Sequence, residues 1–123
     1  MSFDLVVFDP AHAPTEPSAF LRWYTQQSED SYDPSELACP ALVSFFTLLS
    51  VEFPAMNGPQ AVDDIDNPKT TDYAFGAYSI SMRFAWSQAT GARNTVVDLA
   101  KKHNVGFYDV SDPKGAIDRP PYR

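Results

Sequence analysis

The chain opens on a run of apolar positions. "SFDLVVFD", residues 2–9, is rich in β-branched and aromatic residues and is stopped by Pro10, so it predicts a strand. Phe3, Leu5 and Val7 share one side of it, Val6 and Phe8 the other. Apolar residues on both sides predict a central strand, or one with a covered face. After the loop "PAHAPTEP" (10–17), "SAFLRWYTQQSE" (18–29) carries Phe20, Leu21, Tyr24 and Gln27 at helical spacing behind a capping Ser18. "DSYDPSELAC" (30–39) is acidic and turn-forming, and Asp33, Pro34 and Glu36 make the pattern of a capped first turn. A proline deep inside a helix costs about 3 kcal/mol. Pro40 therefore predicts a short separate turn over 34–38 and a main helix, "PALVSFFTLLSVEF", over 40–53. That helix is apolar nearly all round, which predicts deep burial.

The segment "FPAMNGPQAVDDIDNPKTTDY" (53–73) holds three prolines, Gly58 and the cluster Asp63, Asp64 and Asp66. It predicts a long loop to about residue 70. In "TDYAFGAYSISMRFAW", Tyr78, Ile80, Met82 and Phe84 alternate with Ser79, Ser81 and Arg83, a half-buried strand. "DYAF" before Gly76 reads as its hairpin partner. "SQATGARNTVVDLAKKHN" (87–104) reads as a helix whose Lys101, Lys102 and His103 complement its negative end. Gly91 weakens it by about 1 kcal/mol relative to alanine. "VGFYDVS" (105–111) is a last strand. The order is βαββαβ with the first helical region split in two. It predicts an α+β, ferredoxin-like sandwich with a four-stranded antiparallel sheet and helices on one face. A single domain covers 1–112, and 113–123 is a polar C-terminal tail.

Composition changes this picture little, and charge changes it more. The chain has 123 residues, 44% apolar, enough for one core without staples. Cys39 is the only cysteine, so no intrachain disulfide is possible, which suits a reducing compartment. The N-terminal run has no basic n-region and is too short for a signal peptide or a membrane span, so the expectation is a soluble cytoplasmic protein. The net charge is −7, but residues 1–68 carry eleven acids against one base, Arg22, while residues 69–123 carry five acids against eight bases. The acidic part repels nucleic acid and anionic lipid and attracts basic partners.

The residues give no catalytic signature. Cys39 stands at a helix start, where a thiol can be activated, but Asp30, Asp33 and Glu36 oppose that. His12 and His103 lack metal-ligand spacing. "DDID" fails the calcium-loop pattern after Asp66, at Pro68. Asp63, Asp64 and Asp66 lie on a loop rather than on the rigid frame a carboxylate pair needs. Glycines occur only singly, with no phosphate-binding loop. The expectation is a non-enzyme with no cofactor, no metal and no nucleic-acid partner. Tyr24 and Trp86 read as core. Trp23, at the edge of the first helical stripe near Asp30 and Tyr32, is a candidate binding anchor.

"MSFDLVVFDP", "FPAMNGP", "DYAFGAYSISMRFAWSQA" and "KKHNVGFYDVSD" together resemble a family of small bacterial α+β proteins encoded beside toxins of interbacterial competition, such as those delivered by type VI secretion. The resemblance covers about residues 2–112 and rests on structural motifs. It implies an immunity protein that binds a cognate toxin, one with a basic or nucleotide-handling active site, and occludes that site. It implies no catalytic residues. An acidic surface suits this task through steered association. The expected partner-binding residues are Asp63, Asp64, Asp66, Asp30, Asp33, Glu36, Trp23 and Tyr32. The alternative is a dimeric ferredoxin-like small-molecule-binding protein or cofactor-free oxygenase. It would have Val6, Phe8, Tyr108 and Val110 on an open sheet face, and His12, Trp23 or Tyr24 lining a pocket.

Overall fold

The computed structural model describes residues 2–27, 32–56, 58, 61–62, 66–112 and 117–122. Strand β1 (Phe3–Phe8) leads to helix α1 (Pro17–Gln27), a 3-10 turn (Pro34–Glu36) and helix α2 (Pro40–Glu52). The hairpin β2 (Asp72–Phe75) and β3 (Ser79–Phe84) follows. A 3-10 turn at Trp86–Gln88, helix α3 (Ala89–His103), β4 (Gly106–Asp109) and the short β5 (Ile117–Asp118) complete the chain. All neighbouring strands are antiparallel, in the order β2-β3-β1-β4-β5. Among the described residues the fold is α+β with a five-stranded sheet and three α-helices. Among the described residues no helix is long and apolar enough to cross a membrane.

β1 is central, as its two-sided apolar pattern predicts. Phe3, Leu5 and Val7 join Leu42, Phe45, Phe46 and Leu49 of α2 and Ala92, Val96 and Ala100 of α3 in the main core. Phe8 points the other way and meets Phe20 of α1, with Trp23, Tyr24 and Tyr108 packed around them. The expectation of helices on one face is thus corrected: α1 lies opposite α2 and α3. Phe8 and Tyr108, which the alternative reading placed on an open sheet face, are covered by α1. The reason is in β1 itself, because a large aromatic on the second face needs its own cover.

The second layer is held at three points. Gln27, at the end of α1, accepts through Oε1 from the Tyr78 N–H at 3.1 Å, tying the helix to the hairpin. Gly106 on β4 lies under Phe8, and a Cβ there would stand 2.1 Å from the Phe8 ring. The guanidinium of Arg119 lies 5.1 Å from the Phe8 ring centroid and 5.9 Å from that of Phe20, and it donates to the Pro14 carbonyl. The residues read as a polar tail therefore include a fifth strand and a clamp on α1. Tyr122 adds a bond from its hydroxyl to the Val105 carbonyl.

The helix starts follow local chemistry with one change. Glu16, not Ser18, caps α1: its carboxylate accepts the N–H groups of Ser18 at 3.1 Å and Ala19 at 2.8 Å. Those bonds hold the Glu16 carboxyl below its ordinary range. Pro40 takes the first position of α2, as its cost elsewhere requires. α3 ends on Asn104, at φ 55°, a left-handed cap. The expected deep burial of α2 is also corrected, since Leu42, Phe45, Phe46 and Leu49 are buried while Val43, Leu48 and Val51 face outward.

Two outcomes test this packing. Gly106→Ala is expected to lower stability by about 1–3 kcal/mol, because the Phe8 ring has nowhere to go; denaturant unfolding measures it. Burial, with Asp118 nearby, pushes the Tyr122 phenol up to about 12 from 10.0. The folded state therefore keeps a proton that the unfolded state gives up. This contribution to stability is whole below pH 10.0 and is lost as the pH climbs toward about 12. Tyr122→Phe is expected to flatten that alkaline loss in unfolding curves taken across this interval.

Candidate functional site

α1 has eleven residues, a span of about 16 Å, too short to cover the whole second face of the sheet. It sits over Phe8 and Tyr108 and leaves the β2–β3 side open. There a cleft of about 550 Å³ forms between the sheet, Tyr24 and Thr25 of α1, and Tyr32. The strand register builds its floor in rows. Ala74, Ser81 and Val6 stand side by side, and Asp72, Arg83 and Asp4 form the next row out.

That outer row alternates acid, base, acid across three strands. Arg83 Nη1 lies 3.5 Å from Asp72 Oδ2 with its side chain mostly exposed, a surface pair of small energetic worth. Asp4 Oδ1 accepts from the Ser2 hydroxyl at 2.5 Å. Burial, then the neighbouring Tyr108, pushes the Tyr24 phenol above its ordinary value, and Asp4 adds to the rise. The cleft thus offers phenols, two carboxylates and one guanidinium.

The predicted partner-binding residues fall into four groups. Tyr32, Asp33 and Glu36 are exposed on one short segment, Tyr32 at 46%, beside the cleft that Tyr32 lines. Asp33 also accepts the Ser35 N–H at 2.9 Å, so its carboxylate shapes the turn that presents them. Asp66 is exposed on the later loop. Asp30, Asp63 and Asp64 lie outside the described residues. Trp23 belongs to the small core, with ring centroids 6.5 Å from Phe8 and 6.0 Å from Phe20, and is half-buried rather than a projecting anchor.

The loop after α2 meets the Tyr32 segment. Gly58, in the loop after α2, has φ +78°, and a Cβ on it would stand 2.2 Å from the Tyr32 carbonyl oxygen. The loop backbone therefore presses on the Tyr32 segment, across twenty-six positions of sequence.

Other candidates take structural places. His12 stacks on Tyr78 at 3.7 Å between centroids, with Nδ1 2.7 Å from Asp9 Oδ2, and it does not line the cleft. His103 donates from Nδ1 to the Leu99 carbonyl at 2.9 Å and sets its ring against Phe45. Cys39 is buried. Trp86, read as core, is half exposed and packs on Phe3. Among the described residues no group of three or more His, Cys, Asp or Glu is placed to hold a metal ion. Pattern reading missed the Asp4–Arg83–Asp72 row. Its signal was an acid inside the first strand and an arginine inside the third, but their alignment depends on register.

Roles divide cleanly by substitution. Trp23→Ala is expected to cost about 2 kcal/mol, through lost packing on Phe8 and Phe20. Asp33→Asn with Glu36→Gln is expected to change stability by less than about 0.5 kcal/mol, since asparagine keeps the turn's cap and Glu36 is exposed. Denaturant unfolding of each variant checks both. No protein-family model, no curated protein and no solved structure matches this chain.

Proposed function

We propose that this chain is a non-catalytic immunity protein of the cytoplasm. It binds a cognate antibacterial toxin of the kind delivered by type VI secretion and occludes the toxin's basic or nucleotide-handling active site. The single observation that carries this reading is the packing of Gly58 on Tyr32. It joins two stretches of the acidic half of the chain beside one cleft, with Tyr32, Asp33 and Glu36 exposed on that edge. A tyrosine among carboxylates is a fit surface for a basic partner, since the phenol supplies contact area and the charges steer approach.

The frame suits the task. Within the five-stranded sheet, the order β2-β3-β1-β4 with α2 and α3 on one face supports a ferredoxin-like core, to which α1 and β5 are additions. α1 and the cleft occupy the face that such a core leaves open, and the acidic edge borders them.

Co-expression with the product of the adjacent gene tests this. The expected outcome is rescue of growth and a complex that co-purifies at low salt. A harmless neighbour, or a toxic one that does not bind, would sink the idea. Tyr32→Ala is expected to weaken the complex about tenfold, as loss of a central aromatic does. Asp33→Asn, Glu36→Gln and Asp66→Asn together are expected to slow association while leaving the thermal midpoint in place.

A further inference from the structure

Twelve consecutive residues, Pro40 to Val51, carry no charge. Only one side of the helix they form is buried. The opposite side turns Val43, Thr47, Leu48 and Val51 to solvent, Val51 at 82%. Met56 is exposed just beyond the helix. A surface helix ordinarily turns charged residues outward. Contiguous apolar surface left in water is the kind of surface that interfaces cover.

We propose that a second copy of this chain covers the stripe, with two α2 helices packed antiparallel about a two-fold axis near Thr47. Symmetry is the first support. Val43 and Val51 lie four residues on either side of Thr47, so antiparallel pairing sets Val43 of each copy against Val51 of the other. A two-fold contact requires such a self-complementary pattern. Ser44 and Thr47 are small enough to let the helices approach.

Charge at the helix ends is the second support. Glu52 stands in the last turn of α2, against the negative end of its own helix dipole. The first turn of α2 holds no acidic residue, and Cys39 gives it no side-chain cap. Antiparallel pairing brings each Glu52 beside the other copy's uncapped N-terminus, where a carboxylate is favoured. Within its own chain Glu52 has the half-exposed Lys69 ammonium at 3.6 Å and accepts from the Thr95 hydroxyl of α3 at 3.4 Å, two long surface contacts of small worth that a stronger partner can displace.

Size and charge set the strength. α2 is thirteen residues long, about 20 Å. One helix pair with Met56 at its ends falls in the class of small interfaces, below about 1,200 Å² in total. The dimer is therefore a reversible one with a dissociation constant in the micromolar range. Each copy carries −7, but the stripe keeps charge out of the contact, and at physiological salt the remaining repulsion is screened beyond about 8 Å.

Sedimentation velocity over a hundredfold range of micromolar concentrations tests this. The wild type is expected to shift reversibly from monomer to dimer. Val51→Glu is expected to raise the dissociation constant at least about tenfold, with the chain still folded and its unfolding midpoint only slightly lower, since the side chain is already in solvent but adds a second acid to the last turn of α2. Leu21→Glu, at an exposed leucine on α1, is expected to dimerise like the wild type. Thr47→Cys, at the axis, is expected to form an intermolecular disulfide on mild oxidation, since Cys39 is buried, and to lose it when Val51→Glu is added. A wild type that stays monomeric throughout, or a dimer that survives Val51→Glu, overturns the proposal. The stripe lies on the opposite side of the sheet from Tyr32, so the toxin-binding reading stands or falls separately.

Discussion

The contact on which this fold depends is Phe8 against Phe20, an edge-to-face pair with centroids 4.8 Å apart. β1 presents apolar side chains to both faces of the sheet, and one helical layer can cover only one of them. Without α1, Phe8 would sit in water on the exposed side, at a cost of about 1.5–3 kcal/mol for a side chain of that size. The rest of the second layer follows from that need. Gly106 is small because Phe8 lies over it, Gln27 ties the far end of α1 to the hairpin, and Arg119 closes the ring edges from the C-terminal segment.

The same constraint shapes the candidate site. α1 is long enough to cover Phe8 and Tyr108 but not the β2–β3 side, and the uncovered strip becomes the cleft. The strip tolerates exposure because its residues are small or polar there: Ala74 and Ser81, then Asp72, Arg83 and Asp4. Tyr32 reaches the cleft because the chain must pass from the α1 face to the α2 face between residues 27 and 40. The acidic, turn-forming stretch that makes this passage is held from behind by Gly58. Position and charge of the proposed binding edge are thus by-products of a crossing between layers.

Local chemistry made much of the chain legible. Strand alternation, Pro40 at a helix start, the Asp33 turn, the hairpin at Gly76 and the basic end of α3 all reflect preferences acting within one or two turns of chain. Misreadings arose where two local rules competed. Ser18 and Glu16 could each cap α1, and the longer side chain reached two N–H groups. Trp23 lay at the edge of a helical stripe, and only the neighbouring strand placed it against Phe8 rather than in solvent. The C-terminal segment is polar and proline-rich, yet it pairs with β4 and brings Arg119 over aromatic rings. Cation–π contact is invisible to hydropathy.

By itself the sequence determined the first four strands and the three helices, their order, a central first strand and an acidic half, because each rests on periodicity or counting; the fifth strand it did not. The tertiary structure alone decided on which face each helix lies. α1 and α2 are both amphiphilic enough to cover a sheet, and the choice depends on which rings of β1 they meet. It also decided that the outer stripe of α2 faces solvent. Apolar content measures how much surface a helix could bury; how many layers exist to bury it is a property of the assembled sheet. For the same reason the acids at 33, 36 and 66 were readable as charge, and the packing of Gly58 on Tyr32 was not. Distance between loops is set by where the layers carry them.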